Sequence, residues 1–130
     1  MNRLLQITRW LYAGFFLLIG LQSLLVYAGI LPRGGYPGSP EMKEFSRAVF
    51  SAGFIGPLMT ATYICSGVLM LFSRTAPLGL VLLAPFVVAI LFAHLMLNGI
   101  PALGIAIALL WAVLAWQFRK AYEPMWTYRA

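Results

Sequence analysis

Apolar residues run almost unbroken through four stretches of the chain, 10–31, 48–72, 76–97 and 100–118, and no Asp, Glu, Lys or Arg interrupts them. A helix needs roughly 20 residues to cross about 30 Å of hydrocarbon at about 1.5 Å per residue, and each stretch reaches or approaches that length. A backbone in lipid must satisfy its own hydrogen bonds, which leaves helices or a closed barrel, and continuous apolar runs lack the alternation of a barrel strand. The pattern predicts an all-α chain: an integral membrane four-helix bundle, with residues 1–130 forming a single four-span domain. The first stretch is too long for the apolar core of a removable leader and reads as a span.

The connections refine this expectation. Residues 73–75 and Asn98-Gly99 predict tight turns, so the second, third and fourth spans should pack as antiparallel neighbours. The connection 32–47 is longer, and Ser39-Pro40-Glu41 within it has an N-cap residue, a first-turn proline and an acid. A helix is predicted to start there. Met42, Phe45 and Val49 would share one face while Lys43, Glu44 and Arg47 point elsewhere. Two readings of this segment stay open: a helix lying at the membrane interface, or a plain extension of the second span.

Composition agrees with the pattern, since 62% of residues are hydrophobic and only 9% charged, with a mean hydropathy of +0.90. Charge adds an orientation. Arg3, Arg9, Arg74, Arg119, Lys120 and Arg129 fall on the side of both termini, whereas Arg33, Lys43 and Arg47 opposite are accompanied by Glu41 and Glu44. Basic segments stay in the cytoplasm, so both termini are expected to be cytoplasmic, with the long connection outside. The net charge of +6 then signals topology and attraction to membrane lipids. It is no nucleic-acid footprint, because no basic stripe with interleaved aromatics projects into water.

Polar groups within lipid are costly unless satisfied, so Gln22, Tyr63, Cys65 and His94 are the first places to look for chemistry. His94 is expected to point into the bundle toward Gln22, either gluing helices or orienting a ligand. On the second span Ala52, Gly53, Gly56, Thr60, Tyr63 and Gly67 fall on an arc of roughly 100°, a small-residue seam that lets a neighbouring backbone approach at Gly56. Pro57 and Pro85 are candidate kinks. The lone Cys65 excludes an internal disulfide, and the lone histidine supplies neither two haem ligands nor a three-histidine metal site within one chain. No metal site is expected. Phosphate-loop and serine-elbow motifs are missing, and Glu41, Glu44 and Glu123 all lie outside the spans, which counts against a proton-coupled exporter.

Several segments together resemble the DoxX family of small four-helix bacterial membrane proteins. They are Gly20-Leu21-Gln22-Ser23-Leu24, Gly53-Phe54-Ile55-Gly56-Pro57-Leu58, Gly67-Val68-Leu69-Met70-Leu71, Ala76-Pro77-Leu78, Ala84-Pro85, His94-Leu95 and Tyr122-Glu123-Pro124. The resemblance implies a bacterial inner-membrane protein whose relatives are associated with quinone-linked sulfur or thiol oxidation and with membrane oxidoreductase complexes. His94 falls at the family's histidine position. Tyr63 stands where relatives often carry an intramembrane glutamate, and Ala89 where they carry an asparagine, so a polar cluster is thinned in this chain.

Two functional readings follow. The first, favoured by the scarcity of reactive groups, is a non-catalytic subunit or an assembly or docking factor of a membrane oxidoreductase system, with a membrane-protein partner or a second copy as companion. No residue is singled out as catalytic. The second is a binding or redox module in which Gln22, Tyr63 and His94, with Phe92 and Trp111 nearby, hold a quinone or other lipophilic ligand.

Overall fold

In the computed structural model the described residues are 3–32, 39–97 and 100–127. They form α1 (Arg3–Tyr27), α2 (Pro40–Ser51), α3 (Ile55–Leu71), α4 (Ala76–Met96), α5 (Pro101–Gln117), α6 (Arg119–Tyr122) and α7 (Pro124–Thr127). No strand occurs among the described residues, so the chain is all-α there. The turn Asn98-Gly99, Arg33 and Arg129 lie outside them.

Helix boundaries differ from the hydropathy pattern at informative places. α1 begins at Arg3, well before residue 10, and ends at Tyr27. Arg9 stays inside the helix because its guanidinium lies over the Phe118 ring, 5.9 Å from the centroid, and the side chain is buried. The stretch 48–72 is not one helix. It breaks between α2 and α3, whose axes differ by 88°. Pro57 contributes to the break, since in a continuous helix its ring would crowd the Gly53 carbonyl and its missing N–H would lose a bond, although Pro85 shows that a proline alone does not end a helix in this chain. In the first turn of α3, however, its missing N–H costs nothing, because no carbonyl precedes it there. α4 runs on through Pro85 as a single helix.

Of the two readings of the long connection, the structure does not take the plain extension of the second span: α2 turns away from α3 by 88°. Ser39 caps α2, its Oγ accepting from the Met42 N–H at 3.2 Å. The same hydroxyl donates to the Leu97 carbonyl at the end of α4. α2 is thereby fastened at one end to α4 and continues at the other into α3, with Met42 buried beneath it and Lys43, Glu44 and Arg47 exposed.

α1 packs on α3, α3 on α4 and α4 on α5, whereas α1 and α5 meet sparsely. Glycines set the close approaches. A Cβ on Gly67 would stand 2.5 Å from Leu17 Cγ and 3.1 Å from the Ala13 carbonyl oxygen, and one on Gly79 would stand 2.9 Å from the Ser66 carbonyl oxygen. Gly56, Thr60, Tyr63 and Gly67 of the expected seam are buried, but Gly53 is exposed and Ala52 half-buried beyond the break. At Gly56 the nearest neighbour is the Tyr27 hydroxyl, with the Phe50 Cα of α2 3.5 Å from where a Cβ would stand. The core holds Tyr12, Phe16, Tyr63, Met70, Leu80, Leu83, Val87, Ile107 and Leu114.

The outside is as apolar as the inside. Leu11, Leu18, Val88, Phe92, Leu109 and Trp116 are all exposed. α1 and α4 are long and apolar enough to cross a membrane; α2 with α3, and α5 with α6 and α7, reach that length only if each bent pair counts as one span. In the most apolar windows of α1 and α4 only 22% and 33% of residues are buried, so most of that surface faces outward.

Candidate functional site

His94 lies in the last turn of α4 and is buried. Its Nδ1 accepts from the Ile100 main-chain N–H at 2.9 Å, closing the α4–α5 connection. An accepting Nδ1 puts the proton of the neutral ring on Nε2. The expected partner Gln22 is exposed on α1. The correction has a local cause: the first N–H groups of a helix lack intrahelical acceptors, and a ring one short turn away fills that role without reaching across to another helix. Gly104 keeps the fit tight, since a Cβ there would stand 3.1 Å from His94 Cβ.

Tyr63 of α3 is buried in an aromatic chain, its ring centroid 5.3 Å from Phe16 and 5.9 Å from Phe86. Phe86 precedes His94 on α4 by about two helical turns. Gln22 is exposed whereas Tyr63 and His94 are buried, and no described hydrogen bond or ring contact joins any two of the three. Phe92 is exposed, and Trp111 is half-buried with its Nε1 donating to the Leu80 carbonyl at 2.9 Å. Cys65 is a free, exposed thiol. No group of three His, Cys, Asp or Glu placed to hold a metal ion occurs among the described residues.

Polar side chains that reach a neighbouring helix's carbonyl escaped sequence reasoning. Tyr12 donates to Ile107 at 3.1 Å and joins α1 to α5. Trp10 Nε1 donates to Leu71 at 3.2 Å, joining α1 to α3. Tyr122 donates to Pro77 at 2.9 Å, tying α6 to the start of α4, and burial pushes its phenol up to about 12. At the other end, Glu41 is held below the usual carboxylate range chiefly by a bond from its own main-chain N–H. Main-chain acceptors carry no letter of their own, so only the aromatic or hydroxyl partner was visible.

Among the described residues, two clefts on the surface bear on function. One, about 400 Å³, lies between α1 and α5 and is lined by Thr8, Leu11, Tyr12, Phe15, Ile107 and Leu110, among others. The second, about 640 Å³, lies where the chain turns by 77° from α5 into α6 and α7. Trp111, Trp116, Trp126 and Tyr122 surround it together with Arg119, Lys120 and Glu123. No protein-family model matches the chain, and no characterised protein or solved structure is significantly similar to it.

Proposed function

We propose that the chain is a DoxX-like bacterial inner-membrane protein, a four-span bundle with cytoplasmic termini, which serves as a non-catalytic subunit or an assembly or docking factor of a membrane oxidoreductase system. The observation that carries this reading is how the polar side chains of the helices are engaged. His94, Tyr12 and Trp111 each hydrogen-bond a main-chain group of a neighbouring helix or its cap, and Tyr63 packs in a row of rings. Groups held this way fasten helices together and are poorly placed to bind or transform a substrate. Membrane residence is supported by the apolar surface of α1, α4 and α5, which far exceeds the patches that soluble monomers expose.

Cross-linking in native membranes followed by purification in mild detergent tests the reading. A stoichiometric membrane-protein partner is expected, retained by Tyr63→Phe and His94→Gln variants. One feature favours a second reading, in which a quinone-like molecule is bound: the α1–α5 cleft is apolar and falls within the roughly 300–1,000 Å³ of small-molecule sites. Recovery of the chain alone, with a quinone in the organic extract, would overturn the first reading in favour of the second.

A further inference from the structure

The cleft between α5 and α6–α7 combines features that the docking role leaves unexplained. Its lining combines the small apolar side chains of Ala112 and Ala115 with two adjacent cations, Arg119 and Lys120, and with Glu123 as the accompanying acid. Arg119 is already oriented: its guanidinium sits over the Trp116 ring at 4.9 Å and donates to the Trp116 carbonyl at 3.0 Å. Those contacts engage one N–H and one face of the group, leaving other donors for an anion. Tyr122, through its bond to Pro77, holds α6 against α4 and so fixes the far wall.

We propose that this cleft binds an anionic phospholipid of the adjacent leaflet, with the phosphate at Arg119 and Lys120 and the start of an acyl chain against Ala112 and Ala115. Charge complementarity selects the occupant. The cleft has an excess of positive charge, and Arg3 and Arg74 stand at the same end of the helices, where the membrane's anionic lipid concentrates. Trp116 and Trp126 are exposed there, as rings at the headgroup level are. The bend at Phe118 turns the cationic helix across the end of α5, which brings the cations beside the small apolar side chains of Ala112 and Ala115. The proposal rests on the membrane-spanning reading above.

Native mass spectrometry of the full chain in mild detergent, titrated with phosphatidylglycerol or phosphatidylcholine, is the test. Retention of phosphatidylglycerol should exceed that of phosphatidylcholine by about tenfold or more and fall with added salt. The Arg119→Gln/Lys120→Gln variant should lose the preference, and Lys120→Gln alone, at an exposed site where folding is not at risk, should weaken it severalfold. An Arg3→Gln/Arg74→Gln variant, which lowers the charge of the same end by the same amount, should keep it. Equal retention of the two lipids, an equal loss in the Arg3/Arg74 variant, or displacement of the lipid by inorganic phosphate at matched concentration would each overturn the proposal. A protein that leaves membranes in alkaline carbonate without detergent refutes the membrane reading itself; one that needs detergent yet shows no lipid preference refutes only this site.

Discussion

Gly79 offers a sharp measurement of how the helices are held together. A Cβ at this position would stand 2.9 Å from the Ser66 carbonyl oxygen, 3.0 Å from Met70 Cγ and 3.1 Å from Leu69 Cβ. Met70 can turn its flexible side chain away. The Ser66 oxygen and the Leu69 Cβ are fixed to α3, so Gly79→Ala must push α3 and α4 apart by a few tenths of an ångström. Overpacking of this kind costs about 1 to 3 kcal/mol in soluble cores. Against it stands a gain of about 1 kcal/mol, because alanine is the better helix former. Gly14→Ala provides the reference, since a Cβ at Gly14 of α1 meets nothing within 4 Å and collects the propensity gain alone. The difference between the two variants cancels propensity and leaves the clash, so Gly79→Ala should unfold about 1 to 3 kcal/mol more readily than Gly14→Ala. In thermal unfolding in mild detergent that is a gap of several degrees. If Gly79→Ala gains as much stability as Gly14→Ala, the close α3–α4 contact does not exist.

Further outcomes are expected elsewhere. His94→Leu leaves the Ile100 N–H without its acceptor and should cost about 1 to 3 kcal/mol, most of it recovered by His94→Gln; equal losses would show that ring packing, not the hydrogen bond, matters. Ser39→Ala should speed hydrogen exchange at the Met42 amide and cost about 1 kcal/mol for the lost cap, whereas Ser39→Asp should keep that amide protected while still losing the donor to Leu97. Tyr122 has its folded pKa raised from 10.0 to about 12, so its contribution is intact below pH 10 and is lost as pH rises through 12. A pH-dependent loosening of α6 in that window, absent from Tyr122→Phe, is the expected signature. In a Cys65→Ala background, an impermeant thiol reagent applied to intact cells should label Lys43→Cys and spare Thr127→Cys; the reverse pattern would invert the topology.

The all-α class was plain from hydropathy, because long apolar runs have few other ways to satisfy their backbone. The break between α2 and α3 was less visible. Apolar letters continue across residues 52–54, and the pairing of Gly53 with Pro57 four residues on does not announce a break by itself, since α4 runs unbroken through Pro85. The early start of α1 was hidden for the opposite reason. Arg3 and Arg9 read as charges that end a span, yet Arg9 is shielded by the Phe118 ring, far away in sequence. The placement of His94 failed at its partner. Its burial and inward direction followed from the cost of an imidazole in lipid, but the search for a partner ran over side chains, and the partner is a main-chain N–H six residues on. Ser39 was legible as a cap; its second bond, to Leu97, rests on a carbonyl that no residue type announces.

These placements bear on where the proposed partner would meet the chain. In the proposed membrane setting no hydrophobic force acts between helices, so close backbone approach is what would hold them. Gly20 and Gly67 provide it between α1 and α3, Gly79 between α3 and α4, and Gly104 between α4 and α5. None of these glycines serves α1 against α5. There the described side-chain bond is that of Tyr12 to Ile107, and the cleft lies alongside it. A neutral hydrogen bond contributes about 1 kcal/mol net, whereas separating a glycine-mediated interface forfeits packing along several turns. The helices therefore form a row of three tight pairings whose two ends are joined weakly. A companion helix or a lipophilic molecule that inserts between α1 and α5 disturbs the least, which makes Tyr12 the residue whose replacement by Phe should change docking before it changes folding.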